Sequence, residues 1–419
     1  MLKGIISLIR KRTIHNMKHS SVLFISDTTL RDGEQMPGGT LLPAEKADIA
    51  SHLERLGVHS IDAGFPACCE AEVKSIQQIA RSVTKPLVTA LCRAKREDVD
   101  LAYAALKDLP LQRRGVSIFV GASPTHREAK LGKTKAQIID LSADVIDYAL
   151  GHFAIVSFAP EDASRTEIEF LVDLYEAAIA AGAANVGFTD TIGCLDPETT
   201  RWYVGEINAR VKHIDRALFA IHFHNDLGMA VANSLTAIRT GCVNIFQGTL
   251  LGVGERAGNA SLEQVVAATT IGQYPKKPKV NLRQLQPACQ AVAKHMGLTV
   301  PCYQPVVGAN VFRTEAGIHQ HGVLLNPATY ELISPEVVGA QRELVLGKHS
   351  GRHALKSMLV EHGFALSEDE LNFVYEEFKG YFETHKRVGT DRILGLASQA
   401  ASRTLPRRPE QPPVDTFNT

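Results

Sequence analysis

The sequence predicts an α/β protein, a closed (β/α)8 TIM barrel followed by a C-terminal, mostly helical accessory region. Three observations carry that expectation. Between Val22 and about Gly272, strand-like apolar runs alternate eight times with amphipathic, helix-like runs. Eight β/α units in roughly 250 residues is what a closed barrel needs. No Gly-x-Gly-x-x-Gly follows the first strand, which argues against an open doubly wound sheet built from the same units.

The elements follow in order. Residues 1–21, beginning MLKGIISLIRKRTIHNMKHS, are basic and contain no acid. The composition is that of an organellar transit peptide, but no small-residue cleavage site is present and GIISLI is too short to span a membrane. The segment is therefore read as a flexible lead-in, with Met17 as an alternative start. The strands read VLFIS, SIDAGF, PLVTALC, GVSIFVGA, AIVSFA, ANVGFTD, LFAIHFH and VNIFQGTL. Each is followed by a segment with apolar residues at helical spacing, such as PAEKADIASHLERLG after the first and TEIEFLVDLYEAAIAAGA after the fifth. The barrel is placed at residues 22–275. YPKKPKVNLRQLQ reads as a linker into a lid region at 276–401, with short helices and then a helical pair from about Gly351 to Ala401. Residues 402–419, rich in Pro and polar residues, read as a disordered tail.

Composition narrows the function. Lys plus Arg and Asp plus Glu both number 45 in 419 residues, so no overall field draws the chain to nucleic acid or an anionic membrane. A small-molecule site is the better expectation. The seven cysteines are scattered, without the paired spacings of a zinc site or a disulfide framework. That points to a reducing, cytoplasmic compartment.

In a barrel of this kind the site lies at the C-terminal strand ends. The polar residues there are DTTLRDGEQ after strand one, APEDASR after strand five, TDTIGC after strand six, HFHND at strand seven and GVGERAGNAS after strand eight. Such a cluster is costly to desolvate without a common partner, and a divalent cation is the simplest. His222 and His224, two apart on a strand, point to one face. With Asp32 and the Asn259 side chain they make a mixed oxygen and nitrogen ligand set with positions left open. Each residue alone also has a plain structural role. Arg31 and Asp32 could be a loop ion pair, Glu161 a helix cap, and the glycines of GVGERAGN a tight turn; it is their joint placement that favours a metal centre.

The motifs DTTLRDGEQ, HFHNDLGMAVANS, GVGERAGNASLEQVV, GIHQHG and LGKHSGRHAL, in that order over roughly residues 22–400, resemble the 2-isopropylmalate synthase and homocitrate synthase family of the DRE-TIM metallolyase superfamily. The resemblance implies an acetyl-CoA-dependent Claisen condensation, an EC 2.3.3-type acyl transfer. A 2-oxo acid chelates a divalent metal (zinc, manganese, magnesium or cobalt), the acetyl-CoA enolate attacks its keto carbon, and thioester hydrolysis releases a 2-substituted malate and CoA. By this resemblance Asp32, His222, His224 and Asn259 are metal ligands, and Arg31, Glu161, His319 and Tyr330 are catalytic. Gln35, Ser157, Gly187 and Thr191 are assigned to the substrate. His319 and Tyr330 lie beyond the barrel, and the family's swapped homodimer is implied. Carbon–carbon lyases share the metal barrel but lack the GIHQHG and LGKHSGRH segments.

For the oxo acid the resemblance divides. DAGFPA and GASPTHREAKL are similar to isopropylmalate synthases, whereas VGFTDTIGC is closer to homocitrate synthases and puts Gly187 where the former usually have asparagine. Ser157 stands where homocitrate synthases of the fungal type have an arginine for the distal carboxylate. The expected substrate is 3-methyl-2-oxobutanoate, with a bulkier 2-oxo acid or 2-oxoglutarate as alternatives. No leucine-responsive domain is expected after the helical region.

Overall fold

The structure, a computed structural model, describes residues 2–402. Eight parallel strands close into one barrel in chain order. They are β1 (Phe24–Asp27), β2 (Ser60–Asp62), β3 (Leu87–Arg93), β4 (Arg114–Gly121), β5 (Ile155–Glu161), β6 (Asn185–Asp190), β7 (Leu218–Phe223) and β8 (Ile245–Gly248). Closure is made by β8 against β1, with Asp27 opposite Gly248. The expected barrel is therefore observed, and each strand falls within two residues of its sequence reading or closer, apart from β2, which stops three residues short at its C-terminal end.

Helices α2 (Pro43–Leu56), α3 (Glu70–Ser82), α4 (Arg96–Leu106), α5 (Lys135–Ala149), α6 (Ile168–Ala181), α7 (Pro197–Arg210), α8 (Ala230–Arg239) and α9 (Leu262–Ile271) follow the strands. Their starts are chemically marked. Thr134 and Gln137 form a capping box at α5, and Asp196 accepts from the Thr199 amide at 2.9 Å at α7. The apolar core lies between these helices and the outer faces of the strands, where Ile25, Val88, Val156, Val186 and Phe246 are fully buried.

Two boundaries differ from the sequence reading. The lead-in expected to be flexible contains a helix, α1 (Leu2–Lys18). Its Ile14 packs on Leu87, Ile155 and Ala184, at or beside the N-terminal ends of β3, β5 and β6. Arg10 Nη1 donates to Gly182 O at 2.8 Å, and Lys18 Nζ to Ile214 O and Ala217 O, both at 2.9 Å. These partners are more than a hundred residues away, so composition alone could not show them. The barrel unit also runs on through Gly308 rather than ending at 275, because α10 (Leu285–His295) buries Leu285, Ala288, Cys289 and Val292.

The second compact unit begins at Ala309. It contains a short parallel pair, β9 (Arg313–Thr314) with β10 (Glu343–Leu344), and the helices α11 (Gly317–Leu325) and α12 (Pro335–Val338). The expected helical pair is three helices, α13 (Arg352–Glu361), α14 (Glu368–Tyr381) and α15 (Thr390–Ser402). A Ser367–Glu370 capping box restarts the chain at α14. Leu355, Leu359, Val374, Phe378, Ile393 and Ala397 make their shared core. The tail beyond 402 lies outside the described residues.

Candidate metal centre

The two histidines sit at the top of β7. His222 ends on the lumen side in register with Thr189 of β6, and His224, one residue past the strand, pairs with Asn259 through an isolated bridge. Asp32 lies in the turn after β1. The donor atoms of Asp32, His222 and His224 all fall within 4.8 Å of one another. The two Nε2 atoms are 3.3 Å apart, and His222 Nε2 is 3.7 Å from Asp32 Oδ2.

The electrostatics suit a cation. Burial pushes His222 down to about 3 and also lowers His224, so both imidazoles are neutral and have lone pairs to give. Burial alone would raise Asp32, but the Arg31 guanidinium and the Asn259 amide hold it well below the usual carboxylate range. Asn259 Nδ2 donates to Asp32 Oδ1 and Val253 O, both at 3.0 Å, and its buried Oδ1 has no partner among the described residues. Two neutral imidazoles and a carboxylate, with an orphaned amide oxygen beside them, fit a divalent ion. Gly254 allows the loop this close: its φ is 153°, and a side chain there would overlap the Asn259 amide.

Arg31 does pair with Asp32, at 2.6 Å, and it also binds Asp62 at the end of β2, at 2.8 Å. Burial opposes its charge, but the two carboxylates outweigh that and raise its pKa. Glu161, the last residue of β5, does not cap a helix. Its carboxylate is held by Lys130 at 2.8 Å, with His126 Nδ1 at 3.3 Å. The Thr191 hydroxyl accepts from the Asp162 amide at 2.8 Å, leaving its own proton free to donate. Its carbonyl is tied at 2.7 Å to Arg256, which is paired with Asp226.

One cavity of 310 Å³ gathers most of the predicted residues: Arg31, Asp32, Gln35, Ser157, Glu161, Gly187, Thr191, His222 and His224 all line it. His319 and Tyr330 belong to the second unit, where their rings are 4.3 Å apart.

Residues 23–292 match the HMGL-like family, and residues 306–386 match the family described as homocitrate synthase post-HMGL domain-like. A 2-isopropylmalate synthase of Brevibacillus brevis is 43% identical over 375 residues, which are 89% of this chain and 73% of that protein. Another from Pyrococcus furiosus is 42% identical over 358 residues, 85% of this chain and 71% of that protein. The chain belongs to the 2-isopropylmalate synthase family. Membership makes it an enzyme of the acetyl-CoA-dependent synthase type and agrees with the strand-end motifs. Among solved structures, hydroxymethylglutaryl-CoA lyase from Pseudomonas aeruginosa matches with a TM-score of 0.57 at 18% identity, over 68% of this chain and 96% of that one. That likeness shows the shared barrel alone.

Reading the family site from strand ends passed over Asp62, although it closes β2 as Glu161 closes β5. The same rule applied to SIDAGF would have found it. It also passed over Lys46, fully buried in α2 and clamped by Glu34 at 2.6 Å and Glu72 at 2.8 Å. Its signal was a lysine three residues before Ile49 on the buried helix face.

Proposed function

We propose that the enzyme condenses acetyl-CoA with a 2-oxo acid whose side chain is uncharged, giving a 2-substituted malate and CoA. The reference substrate is 3-methyl-2-oxobutanoate. The observation that carries the substrate class is the cavity wall: among the described residues Arg31 is its only lysine or arginine, and that guanidinium is already committed to Asp32 and Asp62. A second carboxylate, as in 2-oxoglutarate, would be buried unpaired beside Ser157, at a cost of several kcal/mol per ion. A bulkier uncharged oxo acid is the second reading, favoured by the missing side chain at Gly187.

When bound, a divalent cation held by Asp32, His222 and His224, with Asn259 beside them, supplies Lewis-acid polarisation of the keto group. Arg31, fixed by Asp62, provides positive charge where the keto oxygen becomes an alkoxide. Glu161, held by Lys130, takes a proton from the acetyl methyl group. The new carbon–carbon bond forms at the keto carbon, the keto oxygen gains a proton, and water cleaves the thioester to release the CoA thiol. Thr191 donates to the oxo-acid carboxylate, and Gln35 contacts the substrate at the mouth. We assign His319 and Tyr330 to the barrel of a second copy of the chain in a swapped homodimer. The mixed donor set suits zinc, manganese or cobalt, or magnesium with more water in its shell. We place the enzyme in the cytoplasm, since all seven cysteines are free; among the described residues no helix is long and apolar enough to cross a membrane.

The test is thiol release from acetyl-CoA with 3-methyl-2-oxobutanoate and with 2-oxoglutarate. Oxo-acid-dependent release is expected, with kcat/KM for 2-oxoglutarate lower by roughly 100-fold or more. Release that ignores the oxo acid would sink the condensation, and a preference for 2-oxoglutarate would sink the substrate class.

A further inference from the structure

Below its metal-ligand layer the barrel is hollow. The lumen of an eight-stranded parallel barrel is ordinarily filled by layers of branched apolar side chains. Here the residues facing inward include Ser26, Ser60, Ser117, Ser157, Asn185 and Gln247, one from each of six strands. Gly187 and Ala220, opposite each other in register, add almost no volume. Burial along the strands confirms the direction. Ser117, Ser157 and Asn185 are partly exposed to the cavity, while their neighbours Val116, Val156 and Val186 are fully buried against the helices.

The well is deep. Thr189 lies in register with His222, and Asn185, four residues earlier on β6, lines the same cavity. Four residues of tilted strand span roughly 10 Å along the barrel axis. An isopropyl group ends just past the keto carbon and fills only the top of such a space. At its floor Leu87, which lines the well, packs on Ile14 of α1.

The wall below the rim is uncharged and mixed: Ser26, Ser60, Ser117, Ser157, Thr89 and Asn185 stand beside Leu87, Ala220 and Ile245. Among the described residues no lysine, arginine, aspartate or glutamate lines the cavity below Asp62. Asn185 Nδ2 donates to Ser157 Oγ at 2.8 Å, whereas the hydroxyls of Ser26, Ser60 and Ser117 have no side-chain partner among the described residues. Covering them with hydrocarbon would leave polar groups desolvated and unpaired.

We propose that the oxo acid this enzyme takes has an extended, uncharged side chain with a hydrogen-bonding group near its far end, seated against the Ser157–Asn185 pair. The inference rests on the reading of the chain as an acetyl-CoA-dependent synthase. It separates two properties of one cavity: the rim selects the oxo-acid head, and the serine-lined well selects the tail.

The experiment compares kcat/KM, by CoA release from the full chain with its metal, for 3-methyl-2-oxobutanoate, 2-oxoheptanoate and 7-hydroxy-2-oxoheptanoate. The expected order is hydroxylated chain, plain chain, isopropyl. The long acids should lead by about tenfold or more, as added contact in a fitting pocket gives, and the hydroxyl should add a further factor of about 2–10. Ser117→Leu, which restores a branched apolar residue to the lumen, should move the long-to-short ratio at least about tenfold toward 3-methyl-2-oxobutanoate. The rise in Tm on adding each oxo acid without acetyl-CoA should follow the same order. If 3-methyl-2-oxobutanoate is the best substrate, the inference fails while the synthase reading stands. A plain chain equal to or better than the hydroxylated one overturns the polar tail. No turnover with any oxo acid overturns the synthase reading itself.

Discussion

At the rim of the barrel Arg31 bridges Asp32 and Asp62, Asn259 holds Asp32, and Arg256 ties Asp226 to the Thr191 carbonyl. Lower in the barrel, Ser26 of β1, Ser60 of β2 and Ser117 of β4 line open space. The rim is crowded and charged, tied by ion pairs although Asn259 Oδ1 and one Asp62 oxygen are without hydrogen-bond partners among the described residues; the lumen is small-residue and neutral, with three serine hydroxyls unpaired beside the Asn185–Ser157 pair. The difference teaches where each property is encoded. Reaction type depends on groups held in place by other groups, and substrate choice depends on volume left unfilled. Substitutions at the rim should therefore change rate for every oxo acid alike, and those in the lumen should change the order of preference.

The largest expected effect is at the metal ligands. His222→Ala removes a donor from a set of three and Asp32→Asn removes the set's negative charge, and the lost transition-state stabilisation of several kcal/mol is roughly 10³-fold or more in kcat/KM. Steady-state CoA release together with metal content by elemental analysis checks this. A lumen variant such as Ser117→Leu should keep its metal stoichiometry; if it lost the metal, rim and lumen would not be separable.

Glu161→Gln should slow turnover by roughly 10²–10⁴, and His319→Ala likewise, the usual contribution of a positioned acid or base. Oxo-acid binding, read by calorimetry, should be nearly unchanged. Normal turnover in the His319 variant would remove the second unit from the chemistry.

Arg31→Gln should lower kcat by about 10²–10³, the loss of one preorganised charge at an oxyanion. Asp62→Asn, which only orients Arg31, should cost about tenfold to a hundredfold. The factor should be the same for short and long oxo acids in both variants. An Asp62 variant that altered substrate order instead would assign Asp62 to the well.

The two regions also differed in how far the sequence revealed them. Strand ends are local: an apolar run followed by Asp32, Glu161, Thr191 or His222 announces itself, and Asn259 stands in a glycine-rich loop that only a close approach requires. Asp62 was legible by the same rule, but its consequence depends on a contact to Arg31 across 31 positions. Lys46 follows the buried face of α2, yet only the fold brings Glu34, in the turn after β1, and Glu72, in the first turn of α3, to it. The small inward residues were present in every strand reading, as in GVSIFVGA and ANVGFTD. Eight short segments do not become a well until closure sets them around one axis. The floor was hidden for a related reason, since Ile14, Arg10 and Lys18 find their partners in distant segments.

The smallest expected effect lies behind the rim and concerns stability rather than rate. Glu263, on α9, is fully buried. It accepts from the Leu251 amide at 2.9 Å and from Gln304 Nε2 at 3.1 Å. Leu251 has φ 60°, a left-handed conformation uncommon for leucine, in the turn that leads from β8 to the Asn259 loop. Glu263 therefore pins a strained residue that helps place a metal-site loop. Burial pushes its carboxyl up to about 7, from about 4.5 in an unfolded chain. Between those values the folded protein keeps a proton that the unfolded chain has released, so each rise in pH favours unfolding. The contribution is fully present below about 4.5 and is lost as pH rises through about 7. Its size is on the order of 3 kcal/mol at most. Glu263→Gln keeps an acceptor for Leu251 and removes the titration, and the Gln304 amide can turn to meet the new donor. The Tm difference between variant and parent should then shift in favour of the variant from pH 5 to pH 7.5. Asp27, raised to about 7 by the same burial, remains in both proteins, so the dependence should weaken rather than vanish. Parallel Tm profiles across that range would show that Glu263 does not hold its proton in the folded state.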